Sequence, residues 1–446
     1  MIAFSNWLFG KQNTKPGEII AALDVGSSKI ACFIARADAN GPPRVIGIGH
    51  QLSEGVRNGA IANMEAAQHA ISQAVATAEQ MAGERIESVI VNVSGAQLLS
   101  QTANVELPLQ GREVTEGDVQ RILMQGQTLA PQDARGHPFD LIHTIPVNYA
   151  LDGQKGVRDP TGMVGHVLHV QLHLMSAAYG PVRTLVTTVN RCHLDVETLV
   201  AAPYASGLAC LVEDEMDLGC LVIDIGAGTT GFAVFFDGNV IYADGVPVGG
   251  AHVTSDIARG LTTSLAHAER LKTLYGNATP SPMDEREIID VPQVGEDESP
   301  EHANHLPKSQ LVRIIQPRME EIFEIVRGRL EKSGFREAAG RRVVLTGGAC
   351  QMPGTRELAQ RMLEKQVRIG RPIRVARAAH GQAYTNGKSA SFTGLAEATS
   401  GPAFATTAGL LAVAMQPELA ASHTMGDLAG GGTVFTRVGQ WLKQNM

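Results

Sequence analysis

The sequence predicts an α/β fold of two duplicated lobes, each organised around a strand hairpin with a carboxylate and glycines at its tip. Three stretches carry that expectation. Cys220 to Gly238, CLVIDIGAGTTGFAVFFDG, reads as a buried strand, an Asp-led glycine turn and a return strand. Ile19 to Ala35, IIAALDVGSSKIACFIA, repeats that order about one domain length earlier. A third glycine turn follows the apolar run Arg342 to Thr346, in VVLTGGACQMPG.

In the central turn, Gly226 and Gly228 lack the Cβ atoms that would keep a ligand off the backbone, and successive N–H groups there form an anion-binding concavity. Asp224, at the strand end, is placed to hold Mg²⁺ through water, while Thr229 and Thr230 add hydroxyl donors. A phosphate fits there. In the first copy Asp24, Gly26, Ser27 and Ser28 stand in the places of Asp224, Gly226, Thr229 and Thr230, on a turn expected to be shorter. Gly347 and Gly348 would let backbone lie flat against a base or ribose. Each turn alone reads equally as an ordinary loop; three in this order point to a nucleotide.

With 446 residues, 44% of them hydrophobic, the chain can bury substantial cores and is expected to form two or more domains. Its formal charge of −8 suggests no nucleic-acid partner. Cys32, Cys192, Cys210, Cys220 and Cys350 are scattered with no C-x-x-C, the pattern of reduced thiols rather than a metal site. No apolar run approaches the ~20 residues that span a bilayer, and MIAFSNWLFGK lacks the charged start and apolar stretch of a secretory signal.

DVGSSK, DIGAGTT and LTGGACQMPG resemble the phosphate-1, phosphate-2 and adenosine motifs of the actin-like ATPase superfamily, and nearly the whole chain is similar to the FtsA family of bacterial cell-division proteins. That resemblance implies an actin-like ATPase fold, with duplicated ribonuclease-H-like lobes closing on ATP and Mg²⁺. It adds Lys29 and Met352 from within the motifs, and Gly250 from the further glycine turn VPVGG. Glu269 and Lys272 match an E-x-x-K pair that contacts the ribose in the family. Hydrolysing members carry a Glu or Gln that orients the attacking water near the residue before Pro203. Here that residue is Ala202, so ATP turnover is expected to be slow at most.

Taken in order, residues 19–85 are expected to form strands and an alanine-rich helix at about Glu65 to Met81, the first part of subdomain IA. Residues 86–176 form a β-rich insert, with strands at Ser88–Val93, Asn104–Leu109, Leu141–Val147 and His166–Leu174 and a helix opened by Thr115 with Asp118 three residues on. By resemblance this is subdomain IC, carried by TIPVNYALDGQKGVRDPTGMVG. Residues 180–213 return to helix, within 177–215 as the second part of IA. Subdomain IIA takes 216–254 and 340–395, including a helix at Thr355–Gln366 and a strand at Ile373–Ala376. Subdomain IIB takes 255–339, where an acidic loop with one short strand at Ile288–Val291 precedes the amphipathic helix IIQPRMEEIFEIVRGRLEKSG. Its outer face resembles the element that binds the C-terminal tail of the tubulin-like FtsZ, making Arg313, Arg318 and Glu321 the partner-site candidates. A small-residue helix, PAFATTAGLLAVAM, closes on IA within 396–416.

Residues 417–433 read as a flexible Ala/Gly/Ser linker. In 434–446, Val434, Val438, Trp441 and Leu442 share one face with Phe435 beside them, and about 13 residues at ~1.5 Å rise cannot cross a bilayer, so the helix is expected to lie in its interface. The leader, 1–18, is a disordered tail or, through Trp7, a second foot. One weakly basic helix binds weakly, and several in a filament bind by avidity. The functional expectation is an ATP-binding protein on the cytoplasmic face of the inner membrane. It polymerises, tethers FtsZ filaments and helps recruit later membrane proteins of the divisome. The alternatives are an actin-like scaffold of pilus assembly, which carries a similar insert, and a sugar or acetate kinase, for which no catalytic base stands out.

Overall fold

The structure, a computed structural model, describes residues 17–37, 43–94, 98–129, 139–294, 304–372, 394 and 399–415. The leader to residue 16, the strand expected at 373–376, the linker and the helix 434–446 with Val434, Phe435, Val438, Trp441 and Leu442 lie outside the described residues. Among the described residues, no helix is long and apolar enough to cross a membrane.

The first lobe opens with β1 (Ile19–Val25), β2 (Lys29–Arg36), β3 (Arg44–Leu52), the short pair β4 (Val56–Arg57) and β5 (Ala60–Ile61), α1 (Met64–Ala82) and β6 (Ser88–Val93). An insert follows: β7 (Leu98–Pro108), α2 (Glu116–Gln127), β8 (Phe139–Leu151), β9 (Gln154–Val157) and β10 (Val167–Ala178). The chain then returns through α3 (Tyr179–Asn190), β11 (Asp195–Ala201), α4 (Ala202–Cys210) and α5 (Glu213–Leu218). The second lobe comprises β12 (Cys220–Ile225), β13 (Thr230–Phe236), β14 (Asn239–Val246), α6 (Gly250–Gly260), α7 (Leu265–Tyr275), β15 (Ile288–Val291), β16 (Asn304–Pro307), α8 (Lys308–Ser333), β17 (Arg342–Thr346), α9 (Thr355–Leu363) and β18 (Gln366–Ile369). Last comes α10 (Ala405–Met415).

The duplication is a matter of topology as well as motif. One sheet runs β3-β2-β1-β6-β11 and the other β14-β13-β12-β17-β18, each three antiparallel strands followed by two parallel ones. Because side chains alternate along a strand, β12 serves two cores at once. Leu221, Ile223 and Ile225 pack into the second lobe, while Cys220 and Val222 join the first lobe's cluster with α4 and α10. The insert has its own sheet, β7-β10-β8-β9, and its own small core of residues such as Leu168, Leu172 and Ile122.

Three expected boundaries move. Ser88–Val93 pairs in parallel with β1 and β11, so it belongs to the first lobe and the insert's sheet starts at Leu98. The segment 180–213 is not continuous helix: Asp195–Ala201 alternates exposed and buried positions at its start and forms the parallel edge strand β11. The helix from Thr355 stops at Leu363, and Gln366–Ile369 pairs with β17 as β18. Both missed strands are parallel edges, and a parallel partner is never the adjoining segment: β11 pairs with Ser88–Val93 and β18 with Arg342–Leu345.

Candidate functional site at the lobe interface

Both hairpins have one geometry. Val25 faces Ile30 and Ile225 faces Thr230, so each turn holds four residues, 26–29 and 226–229, and each is closed by the glycine N–H donating to the fourth carbonyl, Gly26 to Lys29 at 3.1 Å and Gly226 to Thr229 at 2.9 Å. Register offsets the copies by 200 residues, from 224 − 24. The first turn is therefore not shorter. Lys29 occupies the place of Thr229, and Ile30 that of Thr230.

The two tips meet on one cavity of about 520 Å³ between the lobes. Asp24, Gly26, Ser27, Ser28 and Lys29 line it from the first hairpin, and Asp224, Gly226, Gly228 and Thr229 from the second. Gly250, Glu269 and Lys272 close a further side, and Gly347, Gly348 and Met352 another. Thr230 is the exception. It is fully buried with its hydroxyl donating to the Val248 carbonyl at 2.8 Å, because the position after a four-residue turn points back into the sheet. Arg313, Arg318 and Glu321 lie away from this cavity on α8, and Arg318 is less free than a solvent face implies. Its Nε donates to Asp256 Oδ2 of α6 at 2.6 Å and a second nitrogen reaches Glu321, with the side chain only 26% exposed.

Several contacts shape the cavity. Ser27 Oγ accepts the Gly59 N–H at 3.0 Å, which leaves its own proton for a ligand. Lys272 Nζ donates to Gly250 O (3.1 Å), Thr254 Oγ1 (2.8 Å) and Glu269 Oε2 (2.7 Å), pinning the E-x-x-K pair onto the start of α6. Gly347, at φ +87°, leaves room for the Asp224 carboxylate: a Cβ there would stand 2.3 Å from Asp224 Oδ1. Ala202 presents a methyl group to the cavity beside Pro203.

Charge in the cavity is unbalanced. Asp24 is 8% exposed, and burial, opposed by Lys29 and reinforced by Asp224, pushes its carboxyl up to about 6. Burial likewise raises Asp224, against hydrogen bonds from Ser206 and Thr406, and lowers Lys29. Two carboxylates sharing one ammonium are short of positive charge. That deficit, with glycine-made space beside Asp224, fits a hydrated divalent cation escorting a polyphosphate.

Sequence reasoning missed the groups that hold the carboxylates. Ser206 Oγ donates to Asp224 Oδ2 at 2.5 Å, Thr406 Oγ1 to the same oxygen at 2.9 Å, and Thr407 Oγ1 to Asp24 Oδ2 at 3.2 Å. Asn92 Oδ1 accepts the Val25 N–H at 2.7 Å. The signal, small hydroxyls in ATT at the start of α10, is visible only once α10 is known to cross both hairpins.

A family model described as "Cell division protein FtsA" matches residues 221–409, and one described as "SHS2 domain inserted in FTSA" matches residues 95–176, the insert's sheet. The chain is 42% identical over 463 residues to the cell division protein FtsA of Rhizobium meliloti (strain 1021), with 100% of each chain covered. It is 33% identical to that of Pseudomonas aeruginosa over 91% of each chain, and 30% identical to that of Escherichia coli (strain K12) over 96% of each. Among solved structures, the PilM-PilN type IV pilus biogenesis complex is similar with TM-score 0.59 and 17% identity, over 89% of this chain and 98% of that one. This last likeness is one of fold alone. The fold is the actin-like ATPase fold with the FtsA insert.

Proposed function

Because this chain belongs to the FtsA family of cell-division proteins, we propose that it binds ATP with Mg²⁺ between its lobes, polymerises at the inner membrane and tethers FtsZ filaments to it. The observation that carries this reading is the meeting of the two carboxylate-led turns on one cavity with the glycine turn at 347–348. Asp24 and Asp224 would hold Mg²⁺ through its water ligands, which supplies charge to offset the phosphates. Lys29, Ser27 and Thr229 would take phosphate oxygens, Glu269 and Lys272 the ribose, and Gly347, Gly348 and Met352 the adenosine side. Ala202 offers a methyl group where a polar side chain would orient a water for in-line attack, so nucleotide would serve mainly to close the lobes.

The exposed face of α8 around Arg313, Arg318 and Glu321 would take the FtsZ tail, and Val434, Phe435, Val438, Trp441 and Leu442 the lipid surface of the cytoplasmic leaflet. The subdomain limits stated above, with the insert begun at Leu98, divide these tasks, and later divisome membrane proteins would be further partners. Relatives named as division proteins at 30–42% identity favour this reading over a pilus-assembly scaffold. Co-sedimentation with FtsZ filaments and lipid vesicles, with and without Mg·ATP, tests it. ATP-enhanced recruitment of FtsZ to vesicles is expected, with loss of vesicle flotation on deleting 434–446; recruitment indifferent to nucleotide would overturn the ATP role, and full flotation of a double deletion with 1–18 the anchor.

A further inference from the structure

All three turns of the cavity attach to one short segment, Pro402 to Thr407, which leads into α10. Thr346 Oγ1 and the Gly347 N–H both donate to the Pro402 carbonyl at 3.2 Å, from the third turn. Thr406 donates to Asp224 of the second hairpin, and Thr407 to Asp24 of the first. Lys29 completes the set: its ammonium donates to the Ala403 carbonyl and lies 3.4 Å from the centre of the Phe404 ring, while its side chain lines the cavity.

We propose that Pro402–Thr407 senses whether the cavity is filled, through a Lys29 ammonium that holds the Ala403 carbonyl and Phe404 ring when the cavity is empty and leaves them for a phosphate oxygen when it is filled. This rests on the reading of the cavity as a nucleotide site. The physical reason is a contest between acceptors. A phosphate oxygen carries full negative charge where a carbonyl carries only a partial one, so the ammonium bonds it more strongly, and the ring face offsets this by about 2 kcal/mol when desolvated. Nucleotide therefore takes the cation. The segment keeps its bonds to Thr346, Gly347, Asp224 and Asp24, so losing the Lys29 clamp loosens it at Ala403 and Phe404, where the chain enters α10 against α4 in the core shared by the lobes.

Hydrogen exchange on the full-length chain, read on peptides covering 402–411, tests this. Saturating Mg²⁺ with a non-hydrolysable ATP analogue is expected to speed wild-type exchange there at least about threefold. Nucleotide-free Lys29→Gln should already exchange at that faster rate, and Lys29→Arg, which keeps a cation, should stay slow. Nucleotide occupancy is followed in the same samples with a fluorescent analogue. Wild type that binds nucleotide with unchanged or slower exchange over 402–411 overturns this proposal alone, and wild type that binds none overturns it together with the nucleotide reading. Nucleotide-free Lys29→Gln exchanging as slowly as wild type also overturns it; should that variant fail to fold, the wild-type comparison decides by itself.

Discussion

Gly228 faces Ser27 across the cleft so closely that a Cβ at residue 228 would stand 2.6 Å from Ser27 Oγ and 2.9 Å from the Asn58 amide nitrogen. The two lobes touch through their hairpin tips, and the missing side chain is what permits it. Gly228→Ala must push the tips apart, because one of the obstructing atoms is backbone. Overpacking of this kind costs about 1–3 kcal/mol, which, taken from binding, weakens nucleotide affinity roughly 5- to 150-fold. Titration with a fluorescent ATP analogue measures it. Wild-type affinity in a folded Gly228→Ala chain would show that the tips need not meet.

Asp24 sets a pH dependence of definite sign. Its carboxyl is raised from 3.8 to about 6, chiefly by burial, so between those values the folded chain holds a proton that the unfolded chain has released. Stability contributed by this group therefore falls as pH rises from about 4 to about 6 and stays low above, a loss of about 3 kcal/mol at ~1.4 kcal/mol per unit. Asp24→Asn removes the titration. In nucleotide-free urea unfolding, the variant should gain on wild type by roughly that amount between pH 4 and 7, while losing Mg²⁺-dependent nucleotide affinity. A difference that is flat across this range would refute the buried-charge account.

How much of this was legible beforehand depended on whether a signal was local. The hairpins around Asp24 and Asp224 each combine apolar strands with an Asp-led glycine turn inside twenty residues, and those patterns hold on the structure. Turn length is not local in this sense: Ser27-Ser28 resemble Thr229-Thr230 in chemistry, whereas register pairs Lys29 with Thr229 and sends Thr230 into the core. Thr406 and Thr407 were invisible for a different reason. They lie 182 and 383 residues from the carboxylates they bind, and nothing local distinguishes them from any small residue in an alanine-rich helix.

Arg313 and Arg318 separate binding from support. Arg313 is 74% exposed and meets Glu285 at 3.0 Å, a pair worth little in water. Arg318 is half-buried between Asp256 and Glu321 and ties α8 to α6. Arg313→Ala should therefore leave the melting temperature unchanged and weaken binding of the FtsZ tail peptide, whereas Arg318→Ala should lower both, with stability falling by about 1–2 kcal/mol for the lost charge-assisted bonds. Peptide anisotropy and thermal melts distinguish them. If Arg313→Ala binds the peptide as wild type does, the partner face lies elsewhere on the chain.

Gly409 lets α10 cross α4. A Cβ there would stand 1.8 Å from the Ala205 carbonyl oxygen and 2.8 Å from its Cα, both backbone atoms that cannot turn aside. Gly409→Ala gains helix propensity of about 1 kcal/mol yet must separate two helices whose contact forms the middle of the shared core. The clash should win, lowering stability by about 2 kcal/mol or more and visibly depressing the melting temperature. A variant as stable as wild type would mean that α10 can slide without cost, and with it the carboxylate contacts of Thr406 and Thr407.

Ser100 and His173 fasten the insert to the second lobe, and acid should loosen them. From the insert, Ser100 Oγ accepts the Ala243 N–H of β14 at 2.8 Å and lies 2.7 Å from His173 Nε2, while His173 Nδ1 is 2.9 Å from the Val240 carbonyl. A carbonyl only accepts, so Nδ1 carries the proton, and the one Ser100 hydroxyl proton serves two acceptors, the neutral ring's Nε2 and the Ala243 carbonyl at 2.8 Å. Burial pushes this imidazole down to about 4, below its usual 6.5, so the stability it contributes is present above 6.5 and is lost as pH falls toward 4, by about 3 kcal/mol. Ser100→Ala removes the hydroxyl partner of the Ala243 amide and of a ring nitrogen, both nearly buried, at about 1–3 kcal/mol. Thermal melts should show that loss at pH 7, and His173→Gln should flatten the decline of stability below pH 6.5. An unchanged acid slope in His173→Gln would assign the slope to other groups and leave Ser100 as the pH-independent part of the fastening.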